Sequence, residues 1–164
     1  MSLLYIYSFK QSFLGGFILR LAFISLLTIF SSSVFADDCS VNISAADNMM
    51  FDTKKITVKT SCSSFTINFK HKGKMPIKAG GHNVAIIENK NFNSVVSKID
   101  MKVGAENGFL PDMPEVIAKT PIVAGGGEAS VSFDPSTLNK DGKYIFLCTF
   151  PGHYAIMKGN VVLM

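Results

Sequence analysis

The chain has 164 residues, 48% of them hydrophobic, which is enough material for one domain with a proper core and too little for two. Its formal net charge is +4, but Lys10 and Arg20 fall in an N-terminal leader-like segment; without them 14 lysines face 12 acids, a net of +2. That mild balance excludes a nucleic-acid binder, whose footprint is a strongly basic face.

Residues 1–36 contain no acid. Lys10 and Arg20 precede the apolar run Leu21 to Phe30, then Ser31-Ser32-Ser33 and Val34-Phe35-Ala36. This is the order of parts of a signal peptide cleaved after Ala36. The uninterrupted run after Arg20 is about ten residues, half the roughly 20 that a membrane span requires. The expected product is a single domain over residues 37–164, exported to the periplasm and not membrane-spanning. Among the cysteines, Cys39 and Cys62 enclose about two dozen residues, and an oxidising compartment would let them pair, with roughly 3 kcal/mol of stabilisation from loop closure. Cys148 is then the odd thiol.

From Ile56 and Val58 onward the pattern is mostly of period two. It continues through Phe65, Ile67 and Phe69, with Thr66 and Asn68 facing the other way, and through His82, Val84 and Ile86. It returns at Val131 and Phe133, at Tyr144, Phe146 and Cys148, and from Val161 to Leu163. Half-buried strands follow, separated by turn residues such as Gly80-Gly81, Gly125-Gly126-Gly127 and Pro151-Gly152. One segment breaks the alternation: Phe92, Val95, Val96, Ile99 and Val103 recur at intervals of three and four, which predicts a short helical flap around residues 91–103. The stretch from Gly104 to Pro121 carries three prolines and little periodicity, and is expected to be an ordered surface connection without a strand. The fold class is all-β, a sandwich or barrel.

The chemistry concentrates in Cys148-Thr149-Phe150-Pro151-Gly152-His153-Tyr154-Ala155-Ile156-Met157, where a thiolate, an imidazole and a thioether donor fall within ten residues. Soft thiolate with imidazole suits copper in both oxidation states, and a thioether completes a trigonal site as a weak axial ligand. A second imidazole is still needed, and of the three histidines His71 and His82 remain. His82 is the better candidate. It follows Gly80-Gly81, where bare backbone can approach a metal and offer a carbonyl, and it opens an alternating strand. Zinc also accepts Cys with two His but has little use for Met157. A Cys148–His153 nucleophile would leave Met157 idle and would bury the thiol at a strand end. A copper enzyme with a second metal site would need more histidines than His71 alone.

These stretches resemble the azurin family of cupredoxins over the whole span from Asp37 to Met164. The resemblance is carried by Cys39-Ser40-Val41, Phe65-Thr66-Ile67-Asn68, Gly81-His82-Asn83, Val116-Ile117-Ala118 and Cys148-Thr149-Phe150-Pro151-Gly152-His153, followed by Met157-Lys158-Gly159. It implies a Greek-key, cupredoxin-like sandwich of about eight strands and one copper ion held by His82, Cys148 and His153 in a plane. Met157 and the Gly81 carbonyl would be weak axial ligands, and Cys39 would pair with Cys62. Asn83 would link the two ligand segments, and amides near Phe150 would reach the thiolate sulfur. His71 matches a histidine near the copper, although Lys72 follows it where many relatives have proline. Two further departures are Val84, at a core position often held by tryptophan, and Gly80, which replaces a bulkier apolar residue. The implied activity is single-electron transfer without a small-molecule substrate. The implied partners are redox proteins such as a c-type cytochrome or a periplasmic reductase, docking on an apolar rim of Met49, Met75, Pro76, Phe150, His153 and Ala155. Copper handling or protection against oxidative stress is the alternative use of the same fold.

Overall fold

A computed structural model describes residues 39–164; the expected signal peptide, its cleavage point and Asp37 lie outside the described residues. Eight strands form among the described residues: β1 (Ser40–Ala45), β2 (Lys55–Val58), β3 (Phe65–His71), β4 (Ala85–Glu88), β5 (Val116–Lys119), β6 (Glu128–Phe133), β7 (Tyr144–Leu147) and β8 (Lys158–Leu163). One sheet has the order β1-β3-β6 and the other β2-β8-β7-β4-β5. The chain crosses between the sheets at every connection except β4–β5 and β7–β8, which pair within the five-stranded sheet, as in a Greek-key sandwich. β1 runs parallel to β3, and β2 to β8, while the remaining pairs are antiparallel.

The period-two pattern places its apolar set between the sheets. Phe65, Ile67 and Phe69 on β3 are at most 1% exposed, as are Val84, Ile86 and Phe146 from the opposing side. Phe51 joins the two layers, its ring 6.2 Å from Phe69 and 5.1 Å from Phe146. Each such side chain contributes about 1.5–3 kcal/mol of burial, so the sandwich alone is a firm platform. Cys39 and Cys62 are joined by a disulfide that ties the start of β1 to the segment before β3.

β7 departs from simple alternation, because all four of its residues are buried. Ile145 and Leu147 face outward from the sandwich, but Ile87, Val95 and Leu110 cover them in a second, smaller core. The cover is the flap expected around residues 91–103. Its α-helix is shorter than the periodicity predicts, spanning only Phe92–Val96 (α2), and a 3-10 turn at Met101–Val103 follows. Phe92, Val96 and Ile99 still pack on the cluster. A single helical turn, Ile77–Gly80 (α1), lies ahead of His82.

The expectation of no strand between Gly104 and Pro121 is wrong. β5 lies inside that stretch and pairs antiparallel with β4 at the edge of the five-stranded sheet. Val116, Ile117 and Ala118 are consecutive apolar residues that show no alternation, and an edge strand bounded by Pro114 and Pro121 escapes the usual penalty of proline in a sheet. The strand expected to begin at His82 also begins later, at Ala85, while His82 makes an isolated bridge to Val123.

Candidate metal centre

Cys148 follows directly after β7, wholly buried, and its backbone N–H donates to the Met157 carbonyl at 3.0 Å. The chain between them is folded tightly by its sequence. Gly152 adopts φ 83°, left-handed backbone that a side chain resists, and a 3-10 turn, His153–Ala155, then brings the His153 carbonyl to the Met157 N–H at 2.8 Å. His153 is 7% exposed and Met157 wholly buried.

His82 arrives from the other side. Its backbone is held by paired hydrogen bonds with Val123 of 3.1 and 2.9 Å. The preceding Gly81 has φ −65°, so its requirement for glycine is one of space: a Cβ there would stand 2.5 Å from Ile122 Cγ2. The His82 Nε2 lies 3.0 Å from the Ala46 carbonyl, a position for an N–H donor that leaves the Nδ1 lone pair free to face inward.

Three donor atoms thereby converge. His82 Nδ1 and His153 Nδ1 are 3.1 Å apart, and Cys148 Sγ is 3.9 and 3.8 Å from them. The point equidistant from the three atoms is about 2.1 Å from each, close to metal–imidazole and a little short of metal–thiolate bond lengths. No other group of three or more His, Cys, Asp or Glu donors arranged for a metal occurs among the described residues.

The electrostatics fit a cation. Burial pushes the Cys148 thiol up to about 11, against the opposing pull of the Phe150 and Asn83 backbone amides. Burial also lowers His82 to about 4, helped by repulsion from His71, and lowers His153 for the same two reasons. Proton-bound forms of the imidazoles and the bare thiolate are thus each disfavoured, while the soft donor set suits a thiophilic metal ion that supplies the missing positive charge.

The family model for copper-binding proteins of the plastocyanin/azurin type matches residues 37–164. The chain belongs to that family. It is 41% identical over 145 residues to azurin of Pseudomonas aeruginosa, covering 88% of this chain and 97% of that one. It is 45% identical over 126 residues to azurin of Alcaligenes faecalis, covering 76% and 98%. Among solved structures, azurin Az-iso2 of Methylomonas sp. strain J superposes with a TM-score of 0.72 at 38% identity, covering 77% of this chain and 98% of that one. Copper is the family's metal, and the converging donors of this azurin-family chain are chemically suited to it.

Around the donors, Asn83 joins the two arms. Its Oδ1 accepts from the Thr149 N–H at 2.8 Å and from the Thr149 hydroxyl at 3.1 Å, and its Nδ2 donates to the Thr120 carbonyl at 3.0 Å. The Thr149 hydroxyl also lies within reach of the Gly108 carbonyl, the shorter of the two contacts, so its single proton serves one of these acceptors at a time. Thr149, Thr120 and the Ala46 carbonyl were not legible as site residues, because threonine and backbone carry no distinctive spacing. Phe150 stacks on the His153 ring with centroids 4.3 Å apart. His71 is fully buried despite Lys72, with its ring 4.4 Å from that of His82 and its Nε2 3.3 Å from Asp47 Oδ1.

Of the expected rim residues, Met49 and Met75 are 38% and 39% exposed, and Pro76 and Ala155 are exposed. Phe150 and His153 are buried, presenting only small edges. Gly80 leaves room that Met75 takes, since a Cβ there would stand 2.5 Å from Met75 Sδ. Ile156, 55% exposed and one residue beyond Ala155, is a further apolar surface residue, for which sequence spacing carries no signal.

Proposed function

We propose that the mature protein, beginning at Asp37, is a periplasmic electron carrier and not an enzyme, with one copper ion held by His82, Cys148 and His153. Met157 and the Gly81 carbonyl would complete its donor set weakly. When bound, copper supplies a one-electron Cu(II)/Cu(I) couple.

The observation that carries this reading is the triangle of buried donor atoms, 3.1, 3.8 and 3.9 Å on its sides. It is closed to substrates, because Cys148 and His82 are 0% exposed. The chain's own residues hold the donors still. Asn83, Thr149 and Ala46 anchor both arms, and the stacked Phe150 fixes the His153 ring. A site so braced reorganises little between oxidation states. His153, more exposed than Cys148, His82 and Met157, is the exit for the electron. Met49, Met75, Pro76, Phe150 and Ala155 form around it an apolar docking rim for transient contact with a c-type cytochrome or a periplasmic reductase.

The copper-loaded protein should lose its colour when mixed with a reduced c-type cytochrome and regain it with an oxidised one, within the mixing time of a stopped-flow instrument. Colour that persists for minutes against every cytochrome offered would mark a store and not a carrier.

A further inference from the structure

On the outer face of the five-stranded sheet, beside α2, an open groove of about 490 Å³ is lined by Lys54, Lys158, Asn89, Asn93 and Asn160 around Phe92 and Ile145. A second hollow of about 390 Å³ shares Asn89, Ile145 and Asn160 with it and adds Lys140 and Lys143. No carboxylate lines either. Among the described residues, none of these four lysines has an ion-pair partner; the nearby Glu88 is occupied by Lys90 at 2.7 Å. The turn residue Asp141, between Lys140 and Gly142, is the acid closest in sequence and does not line the hollow.

The groove is built on rigid backbone. The Asn160 N–H donates to the Lys54 carbonyl at 2.9 Å, and Gly159 presses so closely on Phe146 and the Lys54 carbonyl that a Cβ would not fit. It also abuts the ligand loop. The Phe92 ring meets Tyr154, the residue after His153, edge-on with centroids 6.2 Å apart, and the Lys158 ammonium stands 4.6 Å over the same Phe92 ring. Lys158 itself follows Met157 directly.

We propose that this lysine- and asparagine-lined groove is a second docking surface, separate from the apolar rim, which takes a carboxylate-bearing face of an acidic redox protein and seats it against the flank of the ligand loop. Four unneutralised ammonium groups give steering and complementarity to carboxylates, and the asparagine amides supply donors for them at close range. The proposal rests on the electron-carrier reading for its purpose, but the binding itself is measurable without electron exchange.

The test uses the 15N-labelled Cu(I) holoprotein titrated with an acidic c-type cytochrome at low salt, alongside a Lys54→Gln/Lys158→Gln double variant and a Met75→Lys rim variant. The visible band of the oxidised forms checks that the site is intact. Amide shifts at Asn89, Asn93 and Asn160 should appear with the cytochrome, persist in the Met75→Lys variant and vanish in the double variant. The association rate of the double variant should fall at least ~3-fold at low salt and converge on the parent's near 1 M salt. Shifts confined to the rim, or unchanged in the double variant, would overturn the proposal. So would a groove that responds to heparin and not to the cytochrome. Groove shifts without electron exchange would uphold the surface and count against the carrier reading alone.

Discussion

The two arms that meet at the candidate metal centre reach it by different means. The Cys148–Met157 arm carries its own geometry, since its donors are neighbours in sequence and its turns close on themselves through Cys148–Met157 and His153–Met157 backbone bonds. The His82 arm has no local device of that kind. Its position is set by Val123, Ala46, Ile122 and, through Asn83, by Thr120 and Thr149, all distant in the chain. A local loop can keep its shape when its surroundings loosen, whereas a donor placed by tertiary contacts depends on the whole sandwich. Perturbations of the His82 side should therefore cost fold and site together, and perturbations of the loop should cost less of the fold.

The sharpest break is at Asn83, the clamp between the arms. Asn83→Ala removes the acceptor of the Thr149 N–H and the donor to the Thr120 carbonyl and leaves both buried backbone groups unpaired, while the Thr149 hydroxyl keeps the Gly108 carbonyl. We expect a loss of about 2–4 kcal/mol in urea denaturation of the copper-free protein, with a slower recovery of colour on copper addition. A change under about 0.5 kcal/mol would show that the arms are held independently.

Acid titration probes the charge that both arms exclude, with His82 carrying the larger part. The folded pKa of His82 lies at about 4, below the ordinary 6.5, because burial opposes its charged form. The unfolded chain takes up the proton first, so the stability of the copper-free protein should fall as pH drops below 6.5 and level off below about 4, by up to about 3 kcal/mol for this residue. His153 is lowered too and adds in the same direction. Denaturation midpoints that stay flat between pH 6.5 and 4 would contradict this burial.

A glycine pair sharpens the same comparison at smaller cost. Gly81→Ala drives a Cβ against Ile122 and should cost about 1–3 kcal/mol and disturb the His82 ring. Gly152→Ala meets nothing within 4 Å and pays only for its φ of 83°, about 1 kcal/mol. Equal losses would refute the division between a tertiary arm and a local one.

The same division explains what the sequence discloses. Cys148, His153 and Met157 are legible because their donor chemistry is compressed into one segment, the strands β2, β3, β6 and β8 because one of their faces is apolar, and β7 because it is a short apolar run on both faces. His82 required elimination against His71, and a sequence does not show that both imidazoles are buried side by side, 4.4 Å apart. β5 was illegible because Val116-Ile117-Ala118 is an unbroken apolar run between prolines, without the alternation that the equally short β2 shows, and the flap looked longer than it is because Ile99 packs on the second core from beyond the helix end. Thr149 and Thr120 act through hydroxyls aimed by the fold, for which residue spacing carries no signal.

Copper binding of this kind requires three donor atoms to close around one ion. Adding one equivalent of Cu(II) to the protein beginning at Asp37 and recording its visible spectrum tests this directly. An intense blue thiolate-to-copper band that saturates at one equivalent, and is absent from the Cys148→Ser variant, is the predicted result. A colourless Cu(II) complex, or a band that survives in Cys148→Ser, would contradict it.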